Sequence, residues 1–119
     1  MTLLLVDSHL GRKVFCLGGQ NTKSASAADS NTASELGGNL TGRDIVAISC
    51  GDFHGAAIDS TGCLYTWGGG KSTQHNRGQC GHGSTAFCEQ PKQVLAFMDK
   101  RVQRVVCGAM HTLVLTEDK

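Results

Sequence analysis

The sequence predicts an all-β chain built from short repeated strands, and three observations carry that reading. Sixteen of the 119 residues are glycine, roughly twice the average share of about 7%. Charged residues make up 18%, below the usual value of about 25%, so the solvated faces of amphipathic helices are scarce. The third observation is internal repetition. Ile48-Ser49-Cys50-Gly51-Asp52-Phe53-His54-Gly55-Ala56-Ala57-Ile58 lies over Val105-Val106-Cys107-Gly108-Ala109-Met110-His111-Thr112-Leu113-Val114-Leu115, with cysteine, glycine and histidine identical and the apolar positions alike in character.

Two further echoes extend the pattern. Gly11 to Gly19 lies over Gly62 to Gly69 if one residue of slack follows the first glycine, and Glu35-Leu36-Gly37 lies more weakly over Gln79-Cys80-Gly81. In chain order, residues 1–21 read as the tail of a preceding repeat that supplies inner strands. Residues 22–44 read as a low-complexity loop and a degenerate connection, because Thr22 to Asn39 is rich in Ser, Ala and Asn and has no strand period. Residues 45–101 form the complete repeat. Its strands are expected at 45–50, 54–59 and 63–67 and, after the lone Pro91, from Lys92 to Phe97, with glycine turns between. Residues 102–119 begin the next repeat. Four short strands per repeat of this length is the pattern of a β-propeller blade. Propellers have about four or more blades and this chain carries about two, so the expected architecture is a partial β-propeller.

The net charge is +1 with no block of like charge, so neither a nucleic-acid footprint nor an anionic-membrane footprint is present. The N-terminal apolar run Leu3-Leu4-Leu5-Val6 is shorter than the core of a secretory signal and far shorter than a membrane span. An intracellular protein, cytoplasmic or nuclear, is the expectation. In a reducing compartment Cys16, Cys50, Cys63, Cys80, Cys88 and Cys107 read as small buried hydrophobes rather than disulfide partners.

The residues resemble a known repeat. Val105 to Asp118, Gly62-Cys63-Leu64-Tyr65-Thr66-Trp67-Gly68, Gly78-Gln79-Cys80-Gly81-His82-Gly83 and Pro91-Lys92-Gln93-Val94 are similar, in order and spacing, to the regulator of chromosome condensation repeat. The resemblance implies a propeller whose repeat motif here is Gly51, His54, Gly62, Trp67, Gly68, Gly78, Gly81, Gly108 and His111. There are departures. Gly55 stands where the next repeat has Thr112, and Leu17 stands where Trp67 is found. Gly37 and Cys50 are also closer together than Gly81 and Cys107, which suggests that the first repeat lacks a proline-led fourth strand.

Several motifs carry residue types that catalysis or ligand binding uses. Cys50 with His54, and Cys107 with His111, have the types of a nucleophile pair, but their recurrence at equivalent repeat positions favours a structural role. In that role each glycine makes a φ > 0 turn and each histidine satisfies backbone groups nearby. His75, Cys80, His82 and Cys88 are zinc-type ligands, yet no Cys-x-x-Cys spacing occurs and Cys80 fits a buried apolar position. Gly70-Lys71-Ser72 lacks the first glycine of a phosphate loop, and Gly81 to Ala86 opens no helix, so no cofactor or metal is assigned. Asn39-Leu40-Thr41 has the form of a glycosylation acceptor, which matters only in a secreted protein. Tyr65 and Trp67 alternate along one strand and read as packing residues. The loops at 22–44, 69–77 and 84–90 remain as recognition surface, with Lys71, His75, Asn76 and Arg77 as a possible partner-binding cluster.

The function expected is a non-enzymatic protein-interaction module or scaffold. Guanine-nucleotide exchange on a small GTPase, as part of a complete propeller, is the alternative that the resemblance implies. A protein partner, the remaining blades of a longer chain, or self-association would complete the structure. At most one interface between blades is expected within these residues.

Overall fold

The computed structural model describes residues 2–6, 11–17, 33–36, 40, 42–69, 78–83 and 88–117. Among them are three antiparallel sheets. The first is β1 (Thr2–Val6), β2 (Lys13–Leu17) and β3 (Ala33–Glu35), the second is β4 (Ile45–Cys50), β5 (His54–Asp59), β6 (Leu64–Gly68) and β7 (Cys88–Gln93), and the third is β8 (Val102–Cys107) with β9 (Thr112–Thr116). Within each sheet the strands follow chain order; tight turns dictate this for β4-β5, β5-β6 and β8-β9, whereas β2-β3 and β6-β7 are joined by longer segments.

The second sheet lies between the other two, and β5 and β6 are buried along their whole length. Alternation sends successive side chains to opposite neighbours. Ala57, Tyr65 and Trp67 enter a core with Val14, Leu40 and Ile45, whereas Ala56, Ile58 and Leu64 enter a second core with Val94, Val102 and Val105. Two inter-sheet cores therefore exist where one was expected, because the first sheet has enough strand to cover Trp67. The run Gly55-Ala56-Ala57 is small for a reason. Gly55 faces Trp67 and Ala57 faces Tyr65 across the β5–β6 pair, and a Cβ on Gly55 would stand 2.6 Å from Trp67 Cζ2. The first sheet has Thr2 opposite Leu17 at the corresponding place, so the departures at Gly55 and Leu17 are exchanges of size within a cross-strand pair.

Backbone hydrogen bonds repeat between the two junctions. Leu36 N–H donates to the Val14 carbonyl (2.8 Å) as Val94 N–H does to Leu64 (2.9 Å), and Ser60 N–H donates to Asp44 (2.8 Å) as Glu117 N–H does to Arg101 (2.9 Å). Ile45 N–H to the Arg12 carbonyl (3.4 Å) corresponds to Val102 N–H to Gly62 (2.9 Å). Gly62 makes that contact at φ 91, a region L-residues rarely occupy.

These bonds correct three readings. Glu35 pairs with Phe15 as Gln93 pairs with Tyr65, so Glu35-Leu36 is the counterpart of Gln93-Val94 and not of Gln79-Cys80. The first sheet thus has its last strand, formed by 33–35 inside the segment read as loop, and among the described residues it lacks the counterpart of β4. The fourth strand of the second sheet begins before Pro91 and ends at Gln93, and Leu95–Phe97 form a turn of 3-10 helix. Pro91 is tolerated because β7 is an edge strand, where a missing N–H costs no ladder bond.

Candidate functional site

One group of polar side chains converges where the second and third sheets meet. The tight turns after β4 and β8 are alike: Gly51 N–H donates to the His54 carbonyl (2.8 Å), and Gly108 N–H donates to that of His111 (2.7 Å). Neither glycine has a positive φ, which corrects the turn-conformation reading. The requirement is space. A Cβ on Gly51 would run into the Gly108 carbonyl oxygen and lie 2.7 Å from His54 Cε1, and one on Gly108 would meet the His111 ring.

His54 bridges the sheets. Its side chain is fully buried, and Nε2 lies 2.8 Å from Thr112 Oγ1, which itself donates to the Gln79 carbonyl at 2.7 Å. Because the hydroxyl has one proton and gives it to Gln79, the network assigns Nε2–H as donor to Thr112. Nδ1 is then the bare nitrogen, buried with no hydrogen-bond partner. A second relay has the same form. His82 Nε2 lies 2.8 Å from Thr66 Oγ1, which donates to the Cys80 carbonyl at 2.6 Å. Thr66 and Thr112 thus fasten the 78–81 turn to two sheets. The sequence reading did not single out either threonine, and the signal was weak: each sits beside a motif residue, Trp67 or His111.

Asp59 organises the opposite end of β5. One carboxylate oxygen accepts from Thr61 N–H (3.0 Å), the Thr61 hydroxyl (2.6 Å) and Cys63 N–H (3.0 Å), and the other accepts from the Tyr65 hydroxyl (3.2 Å). Burial opposes ionisation of Asp59, but these donors outweigh it and hold the carboxyl below its ordinary range. Tyr65 is pushed up to about 12 by burial and by that carboxylate. Arg43 completes the group, 3.6 Å from Asp59 and over the Tyr65 ring.

Of the motif residues named from sequence, Gly51, His54, Gly108 and His111 meet at the junction of the second and third sheets. Gly78 and Gly81 bound the nearby turn, and Trp67 faces the other core. Lys71, His75, Asn76 and Arg77 lie outside the described residues. Cys80 Sγ donates to the Trp67 carbonyl (3.4 Å) while His82 turns to Thr66, so these two zinc-type side chains hold different partners. Cys50, Cys63, Cys80 and Cys107 form no disulfide. Of these four, Cys80 alone is buried. Cys50 and Cys107 are half-buried because each ends its strand at a turn, which corrects the expectation of burial.

A pH dependence follows. Burial lowers the pKa of His54, aided by the charge of His111 and opposed by the His111 carbonyl and by Asp52. His82 is lowered by burial and by Lys92, against its bond to Thr66. The unfolded chain binds protons at these histidines near the ordinary value of about 6.5 while the folded chain binds them only at lower pH, so stability rises with pH through that window and is lost as pH falls below it. Urea midpoints are expected to fall between pH 7.5 and pH 5.5, and His54→Gln should reduce that slope. A midpoint independent of pH across this range would contradict the lowered proton affinity of His54 and His82.

The chain matches descriptions of the regulator of chromosome condensation (RCC1) repeat over residues 61–115 and 45–74. It is 42% identical to the human RCC1 domain-containing protein 1 over 80 residues, which is 66% of this chain and 20% of that protein. It is 35% identical to the human E3 ubiquitin-protein ligase HERC2 over 79 residues, 66% of this chain and 2% of that one. The chain therefore spans a small part of these relatives. Among solved structures, human WBSCR16 superposes with a TM-score of 0.74 at 25% identity, covering 98% of this chain and 29% of that one. Prp20p from Saccharomyces cerevisiae, described with its binding to Gsp1p and histones, has a TM-score of 0.65 at 18% identity and covers 94% of this chain and 28% of that one.

Proposed function

The chain belongs to the regulator of chromosome condensation repeat family, and from that premise we propose that it is a non-enzymatic protein-interaction module of an intracellular protein, cytoplasmic or nuclear. The observation that carries this reading is the placement of the reactive side chains. His54, His82 and Asp59 are each engaged in bonds that hold sheets and turns together, and among the described residues no group of three or more His, Cys, Asp or Glu could hold a metal ion. The blades act as a rigid frame, and recognition falls to the connections they carry. The segment between β6 and β7, with Lys71, His75, Asn76 and Arg77, supplies the partner contact in this reading. No helix among the described residues is long and apolar enough to cross a membrane.

Exchange on a small GTPase is the second reading, supported by the likeness to Prp20p. There the chain would favour the nucleotide-free GTPase by differential binding. The match to HERC2 covers 2% of that protein, and the ligase activity in its name forms no part of this proposal. The two readings separate in one assay. Release of fluorescent GDP from a panel of small GTPases is expected to be unchanged by a molar excess of the chain, and acceleration would overturn the non-exchange reading. In parallel, proximity labelling in cells should yield a set of proteins that a Lys71→Glu, Arg77→Glu variant loses. An unchanged set would remove that segment from the contact.

A further inference from the structure

A hollow of about 250 Å³ lies beside the outer strand of the second sheet, lined among the described residues by Gly81, His82, Gly83, Lys92, Leu95 and Ala96. One wall is the 78–83 turn between β6 and β7, and the other is the end of β7 with the 3-10 turn after it. Gly81 and Gly83 have φ of 77 and 78, a conformation that L-residues rarely adopt, so the first wall is bare backbone on either side of His82. The His82 ring is held to the Thr66 hydroxyl at 2.8 Å. On the second wall Val94 N–H donates to the Leu64 carbonyl (2.9 Å) and Phe97 packs against the second core, while Leu95 and Met98 are left 60% and 67% exposed. Side chains three apart eclipse in a 3-10 turn, so Leu95 and Met98 form one apolar edge beside the hollow.

We propose that this hollow docks a segment of a partner protein in which a large aliphatic side chain stands next to an aspartate or glutamate. The aliphatic group enters the hollow against Leu95 and Ala96, and the carboxylate pairs with the Lys92 ammonium. The site rests on the reading of the chain as an interaction module, but it uses other residues than Lys71, His75, Asn76 and Arg77.

Size, apolarity and charge select this occupant. Pockets for small ligands run from about 300 to 1,000 Å³, so this one has room for a side chain or two rather than for a cofactor. Leu95 and Met98 stand on a connection that the packing of Val94 and Phe97 leaves outside, and covering them removes apolar surface from water. Charge complementarity supplies the acid. Lys92 lies opposite Thr66 in the β6–β7 pair and its side chain is exposed. Arg43 and Arg101 stand against Asp59 and Glu117, but among the described residues no carboxylate is paired with Lys92 and none lines the hollow. An incoming carboxylate therefore meets a cation that it does not have to share. Charges at such a rim select the partner more than they hold it, so the aliphatic group supplies most of the affinity and the acid most of the choice.

A random peptide library displayed on phage and selected on the full chain should return sequences in which Leu, Ile or Met adjoins Asp or Glu. The recovered peptides, synthesised with a fluorophore, are the probe in anisotropy titrations. Leu95→Ser and Lys92→Glu should each weaken their binding by about tenfold or more, and Lys92→Arg should retain it. Both side chains are exposed, so unchanged urea midpoints should show that the variants are folded. A peptide whose acids are replaced by lysine should prefer the Lys92→Glu chain to the wild type. A library that returns no binding peptide, or peptides without the paired aliphatic and acidic groups, overturns the proposal. Binding that the variants at 92 and 95 leave unchanged overturns it as well. If that binding is lost instead in the Lys71→Glu, Arg77→Glu variant, the site falls while the proposed function stands. Self-association of the chain that Lys92→Glu abolishes would make a second copy the occupant, and that too overturns the proposal.

Discussion

Trp67→Ala is expected to lower the stability of the chain by roughly 3–5 kcal/mol, the usual cost of truncating a buried tryptophan, read as a shift in the urea midpoint. Trp67 is fully buried and belongs to the core that joins the first and second sheets. The residue opposite it is Gly55, so no neighbouring side chain on β5 can lean into the space left behind. That geometry makes the prediction separable from a generic loss of area. Gly55→Val alone should be destabilising by about 1–3 kcal/mol through overpacking, yet in the Trp67→Ala background it should be neutral or restorative, since the added methyls occupy vacated volume. Trp67→Phe should cost far less than Trp67→Ala. It keeps most of the ring and removes an indole N–H that is buried without a hydrogen-bond partner. Additive effects of the 55 and 67 substitutions would show that the two residues do not share a space.

Gly51→Ala is expected to cost about 1–3 kcal/mol or more, although it adds a single methyl group. The new Cβ would overlap the Gly108 carbonyl oxygen, a backbone atom of the third sheet, and crowd the His54 ring. Relief requires the second and third sheets to separate, and that strains the His54–Thr112–Gln79 relay as well. Gly108→Ala provides the contrast. Its Cβ would meet the His111 ring, an exposed side chain that can swing aside, so a smaller loss is expected. Gly83→Ala reports backbone strain alone: φ is 78 and nothing lies within 4 Å of the added atom, so only the cost of a left-handed alanine, roughly 1–2 kcal/mol, applies. Thermal melts of the three variants should rank Gly51→Ala lowest, and a Gly51→Ala protein as stable as wild type would refute the close approach of the two sheets.

Much of this fold was legible in the chain because its signals are local. Strand alternation from Ile45 to Gly68 and the turn glycines lie within a few residues of one another, so local pattern located β4, β5 and β6, and the recurring Cys-Gly-x-x-His unit marked 102–119 as the start of the next repeat. The resemblance to a propeller repeat rested on the same short motifs. What remained hidden depends on pairs far apart in sequence. Glu35-Leu36 looks like Gln79-Cys80 by letter, yet it pairs with Phe15 and Val14 as Gln93-Val94 pairs with Tyr65 and Leu64, because register is chosen by the partner strand and not by the segment itself. The turn at Gly51 shows the same division. Sequence determined that a glycine is needed there, and only the tertiary structure decided why: the obstacle is a carbonyl of the neighbouring sheet. Likewise His54 was marked by its motif, but its bond to Thr112, 58 residues away, exists because two sheets pack face to face. No local pattern encodes that contact.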